Sequence, residues 1–401
     1  MRPILYQRMP IERLTYEPGH WFFAYYDVQP FSKSMEYHLT HRVDFENRMT
    51  VASDVATVGL IRLRDNQFEP VDETLAWNFQ QGAMLQWNPG APDDEILYNM
   101  MLGQEFRTRV YNVRTGEVRM LPRPIATVDR LGRFALSINF ARIYGFRHGY
   151  GYASLPDVFA HETAPKEDGV WYMDMKTGDT KLILSLYDMV QLSEPYFINH
   201  DEEITWKYLV NHITINPDGT RFVALLRGKP DRLNAPWRTY TITANVDGSE
   251  PYLLLDDTAS HYNWRDPTHI MFYAKTYRDH VFGLYLFRDR THEFEKLDPK
   301  DEMPTDGHCS FSPDGKWILN DTYPQNGYRT MFLHEIATSR TIPLCALAAP
   351  FNRRIPAVLP DLDLRTDLHP RWSPDGSQIS FDSVHEGSRH VYRIRMEDIE
   401  L

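Results

Sequence analysis

Three histidines in this chain stand five residues ahead of a turn proline: His212-x4-Pro217, His308-x4-Pro313 and His369-x4-Pro374. His261 precedes Pro267 by one residue more, and His20 opens the matching stretch of an earlier segment, ahead of a longer run, WFFAYYDVQPFS. Met84 and Ile125 stand near the equivalent place in two further segments. An imidazole can bind a divalent metal or take a proton near neutral pH. Histidines at repeat-equivalent positions can do either if the fold brings them to one place.

Asp367-Leu368-His369 adds a carboxylate. Residues i and i+2 on a strand face the same side, so Asp367 and His369 can share one ligand. With His308 they make a His/Asp/His half-shell with open positions, which suits Mn²⁺, Fe²⁺ or Zn²⁺ better than Ca²⁺. The plainer reading is that Asp367 orients a neighbouring His or Arg. Three arginines offer an anion site: Arg142 ends the run ALSINFAR, Arg238 lies in PWRTYTI, and Arg371 follows His369. A guanidinium grips a carboxylate bidentately, although each of the three could equally sit in a surface salt bridge.

Positioning these groups falls to a repeated element. A turn of the type (S/N)-P-D-G followed by a strand-like run occurs at Asn216-Pro217-Asp218-Gly219, Ser312-Pro313-Asp314-Gly315 and Ser373-Pro374-Asp375-Gly376. Proline presets φ, Asp caps the backbone, and Gly takes the left-handed corner. Degenerate copies stand at Phe31-Ser32-Lys33-Ser34, Asn88-Pro89-Gly90, Asp129-Arg130-Leu131-Gly132 and Asp266-Pro267, which brings the set to seven. A second series of seven interleaves with it, each a strand, a charged turn and a strand, as in GLIRLRDNQFEPV from Gly59 and VWYMDMKTGDTKLIL from Val170; the last is the terminal strand from Val391. Two interlocked sets of seven, about four strands per pair, predict an all-β chain folded as a seven-bladed β-propeller with blades of roughly 57 residues. The ring is expected to be one domain over 1–401, with an aromatic, Gly-rich insertion at about 140–169 that is either plain surface or a lid on a site. Inner strands line the channel of such a ring, so the histidines should converge on one mouth.

Composition narrows the partners. With 43 Lys+Arg against 55 Asp+Glu, the net charge of −12 argues against coating nucleic acid or an anionic membrane. No apolar run reaches the ~18 residues of a membrane span, and the N-terminus carries charges and prolines where a signal peptide needs an apolar stretch. A cytoplasmic location is expected. Cys309 and Cys345 lie far apart, so neither a disulfide framework nor a thiolate zinc site is suggested.

These residues resemble the oligogalacturonate lyase family, cytoplasmic seven-bladed propellers that cleave short pectin fragments by β-elimination. The resemblance runs over most of the chain and is densest from Asn211 onward. Ser260-His261-Tyr262-Asn263-Trp264 is similar to the family's T-H-E-F-W segment, which holds its proposed base. Gly307-His308-Cys309-Ser310-Phe311 is similar to S-H-x-x-S-N, with one metal-binding His; Asp367-Leu368-His369-Pro370 falls where the family has H-P-H-P; and FDSVHEGSRHVY from Phe381 parallels its closing F-T-S-x-x-E-G. His212 has a counterpart, and Arg238 lies within two residues of a substrate-binding Arg. Asp367 stands where the family has a histidine, and the family's metal-binding Gln has no counterpart near Leu364.

The resemblance implies an enzyme acting on a short uronic-acid oligosaccharide, with a divalent metal as cofactor, manganese ahead of iron or zinc. Removing the C5 proton beside a carboxylate needs a base and a group that stabilises enolate-like charge. His261 is then the base, with Arg238 as carboxylate clamp. His308, Asp367 and His369 are the metal ligands, and His212, His20, Arg142 and Arg371 are lesser substrate contacts. Two rivals stay open. A non-catalytic TolB-like or WD-repeat-like propeller would bind a glycan or protein without turnover. A glycosidase on the same fold would release reducing ends without forming a double bond. A propeller-capped serine hydrolase is not expected, because no G-x-S-x-G elbow is present.

Overall fold

The computed structural model describes residues 2–194, 206–230, 237–276, 281–303, 305–349, 353–354 and 363–399. Seven antiparallel sheets of four or five strands follow one another along the chain, with a separate two-stranded ladder between Arg353–Arg354 and Asp363–Leu364, and the fold is a seven-bladed β-propeller. Blades 1 to 7 begin with the strands His20–Phe22, Gln86–Trp87, Thr127–Val128, Trp206–Ile215, Ala259–Trp264, Ser310–Phe311 and Arg371–Trp372. Blades 1 to 6 run their first four strands in sequence order. The interleaved strand–turn–strand stretches of the sequence are their third and fourth strands, for example Ala56–Arg62 with Gln67–Thr74 in blade 1.

Ring closure comes from the N-terminus. Blade 7 has three strands from the C-terminal end, and Glu12–Arg13 supplies its outer fourth, pairing with Arg393 and Tyr392. Ile4–Gln7 adds a fifth strand to blade 6, along Cys345–Leu347. Leu14 and Trp21 then pack with Val391, so the first and last blades share one buried cluster. Glu12–Arg13 thus completes blade 7 and Ile4–Gln7 covers the outer edge of blade 6, joining the first and last parts of the chain.

The turns have the expected chemistry. In Ser312–Gly315 the Gly315 N–H reaches the Ser312 carbonyl (2.9 Å) at φ +71°, while the Ser312 hydroxyl donates to Asp314 (2.6 Å) and accepts from the Trp317 N–H (3.0 Å). Ser373–Gly376 repeats this arrangement. The degenerate copies make the same turn with other residues. Ser32 accepts from the Tyr37 N–H (3.0 Å), and Met35 takes the left-handed corner at φ +61°. Between blades the interfaces are apolar: Met271, Leu284 and Leu286 of blade 5 meet Cys309, Ile318 and Phe332 of blade 6. Both cysteines are free and buried.

The insertion joins the second and third strands of blade 3, between Ser137 and Gly169. It opens with a short helix, α1 (Phe140–Phe146), capped by the Asn139 side chain on the Arg142 N–H. Arg142 holds the rest. All five of its N–H groups are used, on the carbonyls of Tyr208, Phe159, Glu162 and Thr163 and on the Asp157 carboxylate (2.6–3.0 Å). A second helix, α2 (Leu186–Ser193), follows blade 3. No helix among the described residues is long and apolar enough to cross a membrane.

Candidate functional site

His212 and His261 lie on the first strands of blades 4 and 5, each beside a register shift. Such bulges re-aim a side chain out of strict alternation. His308 and His369 stand just before the first strands of blades 6 and 7. His369 holds φ +43°, and Met84 of blade 2 also adopts a positive φ, +51°. For a non-glycine residue this conformation is strained and persists only where the surroundings impose it.

The four imidazoles meet. Ring centres of His261 and His308, and of His308 and His369, are each 4.2 Å apart. Tyr25 touches all of them, with ring centres 4.8 Å from His212, 6.4 Å from His261, 6.0 Å from His308 and 4.9 Å from His369. Its hydroxyl lies 3.1 Å from His212 Nε2. Tyr25 comes from the long run after His20, which leaves the first strand of blade 1 and crosses the axis. The Tyr26 hydroxyl docks on blade 5, donating to the Tyr262 carbonyl (2.8 Å) and accepting its N–H (2.9 Å). Arg371 holds the same run from blade 7, bonding the carbonyls of Ala24 and Tyr25 and the Asp382 carboxylate.

Carboxylates fix the rings. Asp306 lies 2.9 Å from His261 Nδ1, and Asp321 lies 2.8 Å from His308 Nδ1. With Nδ1–H donated in each case, Nε2 is left as the lone-pair nitrogen, an assignment made from these partners. His308 Nε2 and His369 Nε2 are both buried without a hydrogen-bond partner among the described residues, and lie 4.0 and 3.9 Å from Asp367 Oδ2. Arg329 contacts Asp367 Oδ1 at 2.5 Å and Arg365 contacts Oδ2 at 2.8 Å. Burial works to raise the Asp367 pKa, but Arg329 and Arg365 hold it well below the usual carboxylate range. Burial pushes His212 and His369 well down and lowers His308, so these three rings are neutral near pH 7.

His308, Asp367 and His369 therefore form a group whose donor atoms lie within 4.8 Å of one another and could hold a divalent metal ion. Two orphaned imidazole nitrogens facing one carboxylate fit such an ion, because a buried acceptor without a partner is otherwise costly.

The other sequence-derived candidates lie elsewhere. His20 pairs with Glu46 (3.1 Å), and no described contact links it to the cluster; Tyr25 occupies the place in the ring for which His20 was expected. Arg238 is exposed, paired with Glu194 (2.8 Å) and laid over Trp206. Arg142 has no donor left for a substrate, and Arg371 is buried against the Tyr25 run. Sequence reasoning passed over Tyr25, Asp306, Asp321, Arg365 and Tyr150. The Asp306 signal was present, since Asp306-Gly307-His308 repeats the Asp-x-His spacing of Asp367-Leu368-His369. Tyr150 arrives from the insertion, where its hydroxyl accepts from Arg365 (2.9 Å) and its ring meets His212 edge-on.

No family profile and no curated protein matches this chain. Solved structures do. An oligogalacturonate lyase from Vibrio parahaemolyticus is similar over 98% of this chain and 95% of its own, with TM-score 0.63 and 15% identity. An oligogalacturonate lyase in complex with manganese is similar over 98% and 94%, with TM-score 0.67 and 14% identity. A chain of the mitotic checkpoint complex aligns over 98% and 95%, with TM-score 0.52 and 10% identity. At such identities the likeness establishes the seven-bladed propeller fold and nothing finer.

Proposed function

We propose that this protein is a lyase-like enzyme that cleaves a short uronic-acid oligosaccharide by β-elimination. The observation that carries the reading is the His261–His308 pair. One imidazole is oriented by Asp306 with Nε2 free to accept a proton, and its ring centre is 4.2 Å from a histidine of the candidate metal group. His261 takes the C5 proton, the C4–O bond breaks as the C4–C5 double bond forms, and the departing oxygen gains a proton from the imidazolium or from water to become a hydroxyl. Asp306 keeps the acceptor nitrogen in place and stabilises the imidazolium that forms. Arg365, half-buried and already beside Asp367, takes the carboxylate-orienting role first expected of Arg238. His308, Asp367 and His369 would hold a divalent ion, manganese ahead of iron or zinc, which when bound supplies neutralisation of the substrate carboxylate. The buried surroundings of the cluster keep water from competing for these charges.

A hydrolytic reading is less well supported. It needs a carboxyl held protonated opposite a second carboxylate; Asp306, Asp321 and Asp367 are all held below the usual range, which leaves Asp27, raised by burial to about 6, as the acid such a reading would have to use. The test is product mass. Elimination leaves the reducing-side fragment with an unsaturated terminus and one water lighter than hydrolysis does, while the other fragment has the same mass in both; hydrolytic mass for both fragments, or no fragments from any uronide, would overturn the reading.

A further inference from the structure

The imidazole cluster is enclosed. His308 is 1% exposed, Asp367 and His369 2% and His261 5%, so neither an ion nor a sugar reaches their donor atoms in this conformation. Part of the cover is the tip of the insertion. Tyr150 is buried there, with its ring edge-on to His212 and its hydroxyl on Arg365, which in turn contacts Asp367.

That tip is a loop closed at its neck. The Tyr152 N–H donates to the Phe140 carbonyl (3.1 Å), their rings stack with centres 4.4 Å apart, and the Tyr152 hydroxyl accepts from Asn99 of blade 2 (2.8 Å). Arg142 pins the start of α1 to blade 4, and the Ser154 hydroxyl donates to the Leu75 carbonyl (2.9 Å) just beyond the neck. Between these anchors lie residues 144–151. At their far side the Tyr144 hydroxyl donates to the Thr50 carbonyl (3.0 Å), in the connection between the second and third strands of blade 1. Tyr150 stands between Gly149 at φ +104° and Gly151 at φ +68°, so the backbone on both sides of it can turn through regions closed to other residues. A compact loop with adjoining ends and a few rotatable residues has the build of a lid.

We propose that residues 144–151 are a gate over the cluster, turning at Gly149 and Gly151 and latched by Tyr144 on Thr50 and Tyr150 on Arg365. It swings off the mouth to admit an ion or a substrate. The gate rests on the cluster being a binding site, and not on which reaction is carried out there.

Access can be timed without metal or turnover. Diethyl pyrocarbonate acylates an imidazole nitrogen only where it can reach one, and peptide mass spectrometry reads each histidine separately. In the metal-free full-length protein, His308 and His369 should react far more slowly than the exposed His161. Tyr144→Phe removes only the latching hydroxyl, and should speed both by about 2–10-fold. A Tyr144→Cys, Val51→Cys double variant bridged by a short bismaleimide should slow them relative to the same variant unbridged; Val51 is exposed, and both native cysteines are buried away from the reagent. His38 and His41, buried in blade 1, should stay unmodified throughout, which separates a moving tip from a loosened fold. The gate is overturned if His308 and His369 react as fast as His161, if Tyr144→Phe or the bridge leaves their rates unchanged, or if His38 and His41 react in step with them. Gated acylation in a protein that turns over no uronide would overturn the lyase reading and leave the gate standing.

Discussion

Asp321 Oδ1 accepts from two groups of one residue, the backbone N–H and the Nδ1–H of His308, each at 2.8 Å. Both residues are buried, so this carboxylate sets the tautomer and the angle of the ring at once. An outer carboxylate of this kind raises the basicity of a ligating imidazole. Asp321→Asn should therefore weaken manganese binding ~10–100-fold, and His308→Ala should abolish it, both read by equilibrium dialysis with elemental analysis. Equal metal content in wild type and His308→Ala would remove the metal group from the account.

The Asp306–His261 contact makes a separate demand. Asp306→Asn keeps the shape but no longer favours the Nδ1–H tautomer or stabilises imidazolium. The expected result is a fall in kcat with KM little changed, and an acid limb of the pH–rate profile that moves relative to wild type. A variant that changes KM alone would show that Asp306 serves binding and not the base.

Arg142 gives a stability prediction. Replacing it by Ala removes five hydrogen bonds at once, leaving Asp157 only its bonds from Asn139 and the Phe159 N–H and taking one donor from each of four carbonyls. Breaking a buried pair from one side costs ~3–5 kcal/mol, here concentrated in the insertion. Limited proteolysis should cut Arg142→Ala between residues 144 and 165 well before wild type. Resistance equal to wild type would mean that the insertion is held by other contacts.

Stability should also fall on mild acidification. Burial pushes His41 and His390 from 6.5 down to about 4, and His38 well below 6.5. Between pH 6.5 and 4 the unfolded chain binds protons that these folded rings refuse, so stability rises with pH across that window. Asp27 acts in the opposite sense. It is open to water in the channel yet surrounded by protein, and burial lifts it from 3.8 to about 6. Its folded form holds a proton that the unfolded chain has lost, which opposes the histidines but is outnumbered by them, since His212, His308 and His369 are lowered too. The melting temperature should drop as pH goes from 6.5 to 4; a flat or rising profile would contradict the neutral buried histidines.

What could be read in advance follows from what is local. The Pro-Asp-Gly turns carry their own hydrogen bonds within five residues, so the sevenfold repeat was legible, and with it four of the five histidines that meet or were expected to meet. Closure by Glu12–Arg13 was not legible, because two residues paired with Tyr392 and Arg393 leave no pattern of their own. Tyr25 was missed for the same reason. Its place is set by Tyr26 on Tyr262 and by Arg371, contacts 236 and 346 residues apart in sequence. His20 drew attention by its type, and the arginines by their charge. Whether Arg142 faces a ligand or ties down a loop depends on carbonyls from two segments, the insertion and blade 4, which spacing does not reveal.

The central claim is elimination with His261 as the base, and ultraviolet absorbance tests it most directly. Metal-supplemented wild type and His261→Ala would be compared on a panel of short oligouronides, following the conjugated enoate that only elimination creates. The account predicts a steady rise with wild type on at least one uronide and a rate ~10²–10⁴-fold lower for His261→Ala. No rise on any uronide, or equal rates for the two proteins, would contradict it.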